Sequence, residues 1–182
     1  MLEFERLAIE TPAGTVSAAG IVDFAGSASN LSVELTARGF ALDKTSSWHP
    51  VLARRALSGK ATLRASLTGW PGRLQAREAE LSLRGFGASW GERRLEGVDL
   101  DASAADEFTK VKAAVSKGKA SGFGTVFEDI SAGLTVENQN MIVERLVFLW
   151  GGSRVKIRAR VEHLTAPKEV VLSGTVDKLK WE

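Results

Sequence analysis

The chain has 182 residues, 44% of them apolar and 25% charged, with a formal net charge of +2 and no cysteine. That length suits a single domain, the near-neutral balance argues against nucleic acid as a partner, and the missing thiols exclude a disulfide framework or a thiolate metal site. Eighteen glycines against four prolines suit many tight turns between strands.

Leu2 to Glu10 reads as a strand with a parity break. Leu2 and Phe4 share one face, Leu7 and Ile9 continue it, and Glu5-Arg6 is the extra step of a β-bulge. After the turn at Pro12-Ala-Gly14, Val16, Ala18, Gly20, Val22 and Phe24 share a face. Beyond the turn at Gly26 to Asn30, Leu31, Val33, Leu35 and Ala37 alternate with Ser32, Glu34, Thr36 and Arg38. One short helix is expected over residues 47–55, capped by Ser46 or Ser47, with Pro50 in its first turn.

The stretch from Leu57 to Leu67 shows the pattern most clearly. Leu57, Gly59, Ala61, Leu63, Ala65 and Leu67 fall on one side, and Ser58, Lys60, Thr62, Arg64 and Ser66 on the other. This is a strand with one dry and one wet face. A turn at Gly69 to Gly72 follows, then Ala79, Leu81 and Leu83, with Gly85-Phe-Gly87 expected as a bend.

Val98, Leu100 and Ala102 oppose Asp99 and Asp101, and Val111, Ala113 and Val115 form a row that alternates with lysines. Ile130, Ala132, Leu134 and Val136 precede a turn at Glu137 to Asn140. Val155, Ile157, Ala159 and Val161 alternate with Arg154, Lys156, Arg158 and Arg160, and the last strand carries Val170, Leu172, Gly174 and Val176. The spacing predicts roughly a dozen strands of an all-β array. An offset of 139 residues carries Glu5-Arg-Leu7 onto Glu144-Arg-Leu146, bulge included, and Leu31 onto Val170. A repetitive sheet along one axis is implied.

No site for chemistry emerges. His49 and His163 stand alone; the pairs Asp99/Asp101, Asp106-Glu107 and Glu128-Asp129 lie on a wet face or at turns. Ser58-Gly-Lys60 lies inside a strand and lacks the upstream glycine of a phosphate loop, while Lys117 to Gly124 reads as a hairpin. The Arg154–Arg160 stripe could meet anionic headgroups, but its acidic neighbours favour a plain solvated face. An enzyme is therefore not expected, nor a cofactor or metal. No run approaches the ~18 apolar residues of a membrane helix, and Met1-Leu-Glu-Phe-Glu-Arg6 has no apolar core of a signal peptide. The pattern is in progress at both termini, so residues 1–182 read as one repetitive sheet segment of a larger protein.

The apolar face is the stronger lead. The sheet either folds on itself into a sealed sandwich or curls and leaves an apolar trough that holds an apolar ligand. Trough-lining candidates are Val33, Leu35, Leu57, Leu63, Leu67, Leu81, Leu83, Leu134, Val155, Ile157, Val161 and Leu172. A transmembrane barrel is disfavoured, because it wants aromatic girdles and the chain has no tyrosine.

Residues 57–69, with Pro71 and the strand Ala79 to Gly85, resemble the AsmA/TamB-like proteins of the Gram-negative envelope. So do Thr11 to Asp23 and the closing Leu172 to Asp177. The resemblance implies an elongated, curled, mostly antiparallel sheet (a β-taco, or half-pipe) with an apolar interior. It implies a periplasmic segment of a protein anchored in the inner membrane. The function it implies is shielding and conducting phospholipid or other acyl-chain lipid toward the outer membrane, with outer-membrane assembly proteins as partners. The alternative is a structural sandwich or solenoid module, of the surface or adhesin type, with a sealed core.

Overall fold

The computed structural model describes residues 1–24, 30–47, 52, 54–70, 73–105, 107–165 and 169–177. Its strands are β1 (Leu2–Thr11), β2 (Gly14–Asp23), β3 (Asn30–Ala41), β4 (Ser58–Trp70), β5 (Arg73–Trp90) and β6 (Arg93–Ala105), followed by β7 (Lys110–Gly122), β8 (Thr125–Glu137), β9 (Asn140–Trp150), β10 (Ser153–Glu162) and β11 (Glu169–Asp177). All eleven lie in one sheet in sequence order. Every neighbouring pair is antiparallel. β1 and β11 do not meet, so the sheet is a curled, unclosed half-pipe.

Sequence chemistry explains the meander. Three connections are two-residue loops in which both residues have positive φ: Phe123-Gly124, Asn138-Gln139 and Gly151-Gly152. Mirror-image turns of this kind match the right-handed twist of the strands they join. The doubled bulge is also present. Glu5-Arg6 in β1 falls between Phe4, opposite Gly20, and Leu7, opposite Ala18. Glu144-Arg145 in β9 falls between Val143, opposite Ala159, and Leu146, opposite Ile157. Each extra residue resets the parity, so apolar side chains stay on one face.

The bend expected at Gly85-Phe-Gly87 lies inside a strand: β5 runs through it for 18 residues, with register shifts on either side of Phe86. Gly85, at φ 58°, is a bulge residue, and its N–H donates to Asp99 Oδ1 at 2.7 Å. Glycine takes this left-handed conformation without a steric penalty, so the strand is kinked rather than ended. Of the helix expected over 47–55, residues 48–51 and 53 lie outside the described residues; Leu52 is helical and its carbonyl accepts from the Arg55 N–H at 3.0 Å. A short 3₁₀ segment at Leu42–Ser47, not expected, leads into that window.

Among the described residues no second layer packs on this sheet. Among the described residues each strand contacts its sequence neighbours, and the only other extensive contact joins β4 to the 3₁₀ segment. Among the described residues no large side chain is fully buried. The chain exposes 12422 Å², whereas a compact monomer of its mass exposes about 8,500 Å². The two packed layers of a sealed sandwich are therefore absent among the described residues.

Candidate functional site

The apolar face is built by register. Cross-strand partners in an antiparallel sheet point to the same side, so ladder partners can be followed from edge to edge. One such row crosses all eleven strands: Ile9, Val16, Ala37, Leu63, Leu81, Ala102, Ala113, Leu134, Val143, Ala159 and Leu172. A second begins at Leu7 and runs through Ala18, Leu35, Ala65, Ala79, Ala104, Val111, Val136, Met141 and Val161 to Val170. Neither row contains a charged or polar side chain.

The expected lining residues distribute over these rows and their neighbours. Leu63, Leu81, Leu134 and Leu172 share the first row, and Leu35 and Val161 the second. Leu83 and Ile157 belong to a third, through Leu100, Val115, Ala132 and Leu146. Val33 pairs with Leu67, and Val155 lies between Phe148 and Val176. Leu57 sits one residue ahead of β4 and outside the ladder, so the register does not join it to the rows.

Shelter varies along the face. Val155 is only 7% exposed, Leu63 is 39% exposed, and Leu172, on the edge strand, is 69% exposed. Ala113 and Ala114 compare the two faces with residue type held constant: Ala113, on the apolar side, is half-buried, while Ala114 is exposed. Sequence reasoning overlooked an aromatic group near the β7–β8 and β9–β10 turns. The rings of Phe127 and Phe148 meet edge to face at 5.2 Å, and Trp150 is the register partner of Phe127. Close by, the Arg93 guanidinium lies 4.7 Å from the Phe123 ring centre. Their signal was aromatic residues recurring beside glycine turns.

The opposite face is held by ion pairs between adjacent strands. Glu34 pairs with Arg64. Arg84 binds Asp101 at 2.7 Å, Lys119 binds Glu128 at 2.9 Å and Lys156 binds Asp177 at 3.1 Å. The hydrogen bond from Arg84, aided by one from Ser82, holds the Asp101 carboxyl below its ordinary value. The same partner raises Arg84, and Glu128 raises Lys119. All are exposed, so water screens them and they weigh little in the stability of the sheet.

Two hollows, of about 590 and 500 Å³, open on this polar side. They lie where long side chains such as Glu34, Arg64 and Glu80 stand beside short ones such as Ser66, Ser103 and Ala114. Within the first, Glu34 pairs with Arg64. Among the described residues no cluster of three metal-ligating side chains occurs, and no helix is long and apolar enough to cross a membrane. No family model, curated protein or solved structure matches this chain.

Proposed function

We propose that the chain is a lipid-conducting segment whose apolar face shields acyl chains from water while their headgroups remain solvated. The observation that carries this reading is the pair of uncharged rows running from edge to edge with no layer covering them among the described residues. Exposed apolar patches on soluble monomers rarely exceed a few hundred Å², so a face of eleven strands calls for an occupant. Burying acyl methylenes there gains about 0.8 kcal/mol each when fully covered. Because neither row offers a polar anchor, a chain can slide along it.

The half-pipe is also what the AsmA/TamB-like resemblance leads one to expect. On that basis the segment belongs to a periplasm-spanning protein anchored in the inner membrane, which moves phospholipid toward the outer membrane and serves outer-membrane biogenesis. Its role is binding and guidance rather than catalysis. The structural-module alternative loses support, because it needed a sealed core.

The test is native mass spectrometry of the purified chain, combined with photo-crosslinking from probes at Leu81 and Leu134 and control probes at Ser82 and Thr135. Co-purified phospholipid crosslinked from Leu81 and Leu134 alone is the expected result. Absence of lipid, or equal crosslinking from the polar face, overturns the proposal.

A further inference from the structure

Near the β5–β6 and β7–β8 turns the apolar face acquires positive charge. Leu146, Phe148 and Trp150 of β9 stand opposite Ile157, Val155 and Ser153 of β10 without a register shift, so all three share the apolar side. The row of Trp150 continues through Phe127, Ala120 and Leu95 to Ala88. Arg93 lies two residues from Leu95 and therefore points to that same side, with Trp90 as its register partner. Arg94, between them, points to the polar side and binds Glu96 at 3.2 Å.

The Arg93 side chain has a path made for it. A Cβ added at Gly122 on β7 would meet Arg93 Cγ at 3.2 Å, so the glycine leaves room for the stem to cross. Beyond it the guanidinium lies 4.7 Å from the centre of the Phe123 ring. A second cation reaches the same place. The Arg55 carbonyl accepts from the Ser89 N–H at 2.7 Å, which ties Arg55 to the end of β5. Its guanidinium lies 5.8 Å from the Trp90 ring centre. A guanidinium set against an aromatic ring occupies its face and keeps its edge N–H donors for a planar acceptor. Neither Arg55 nor Arg93 makes an ion pair with a described residue. Glu96 and Glu128 are engaged by Arg94 and Lys119, and Glu92, exposed in the turn, pairs with neither arginine.

On the reading of the apolar face as a lipid path, on which this rests, we infer that Arg55 and Arg93 receive the phosphate of an anionic phospholipid. Both adjoin Trp90, and the acyl chains of that lipid lie on the apolar rows. Guanidinium edges give phosphate oxygens strong, charge-assisted hydrogen bonds. The indole and phenyl rings beside them suit the level at which an acyl region meets water. The rows hold the chains without fixing them, and the two cations select the headgroup.

The test is titration calorimetry of the purified chain with dioctanoyl phosphatidylglycerol and with dioctanoylglycerol, which has the same chains and no phosphate. The wild type is expected to bind the phospholipid about tenfold more tightly. Arg55→Gln and Arg93→Gln, checked for folding by circular dichroism, should each narrow that preference, and together they should abolish it. Arg94→Gln, on the polar face, should keep it. Glycerol phosphate, an anion without chains, should not displace the phospholipid. Equal affinities in the wild type, a preference that survives the double variant or falls as far in Arg94→Gln, or full displacement by glycerol phosphate overturns the headgroup site while the lipid path stands. If the wild type binds neither lipid, the path fails and the headgroup site with it.

Discussion

Replacing Leu63 with aspartate separates an open face from a covered one. Leu63 lies on the first apolar row, between Ala37 and Leu81, and is 39% exposed. Full burial of a leucine side chain is worth about 1.5–3 kcal/mol, so losing its sheltered part costs about 1–2 kcal/mol. The carboxylate that replaces it reaches water directly and escapes the heavier penalty of a buried, unpaired charge. For a chain of this size the melting temperature should fall by about 2–8 °C, with the sheet spectrum retained. Val155, 7% exposed on the same face, provides the contrast: Val155→Asp should cost several kcal/mol. The assay is a thermal melt of both variants beside lipid crosslinking from a probe at Leu81. Folded Leu63→Asp with weakened crosslinking is expected. If it unfolds as Val155→Asp does, Leu63 is covered and the open-face reasoning fails; if it folds and binds lipid as before, Leu63 does not line the path.

Three further outcomes follow from the structure. Arg154 and Arg158 are exposed, so converting both to glutamine should shift stability by no more than ~0.5 kcal/mol in chemical denaturation; a much larger loss would mean they are engaged. Gly20 faces the Phe4 ring, whose Cζ would lie 2.8 Å from an added Cβ, and the Ser32 carbonyl. Gly20→Ala should therefore destabilise by about 1–3 kcal/mol through overpacking, and an unchanged melt would show that β1 and β3 yield freely. Asp101 titrates below 3.8 because Arg84, then Ser82, hydrogen-bonds its charged form. Its stabilising contribution is present above that ordinary value and lost as pH falls through the folded-state value. Carboxyl resonances followed by NMR should place its midpoint below 3.8 and show Arg84→Gln raising it.

The strands were legible because period-two alternation is strong, and the register was legible where a bulge left a mark on parity. Glu5-Arg6 and Glu144-Arg145 announced themselves through the spacing of Phe4 to Leu7 and Val143 to Leu146. The glycines of β5 marked a bend, but not that the strand continues through it: that rests on the bond from the Gly85 N–H to Asp99, 14 residues away. Leu57 fell outside the ladder for a related reason: alternation alone does not say where pairing starts. Leu172 shares the first row by register, but its 69% exposure follows from β11 being an edge of this sheet, which single-strand patterning does not encode. Whether a second layer covers the apolar face is a tertiary fact as well. The same alternating strands would serve a sandwich or a half-pipe.

The openness of the face bears on whether a lipid would be stored or passed along. In the second row, Ala65, Ala79 and Ala104 follow one another across β4, β5 and β6. They form a low floor beside the taller Leu63–Leu81 pair. Adjacent rows on one face lie two residues apart, roughly 6.8 Å, a spacing that seats an acyl chain lengthwise across the strands. A chain with about ten methylenes half-covered by such a wall gains ~4 kcal/mol, in the millimolar range of affinity. Covering it on all sides would double that gain toward micromolar binding and make release slower. With no polar side chain along either row to fix its position, the partly covered chain finds equivalent contacts one strand further on. An uncovered face thus favours movement along the sheet over retention, which a sealed pocket lined by the same residues would reverse.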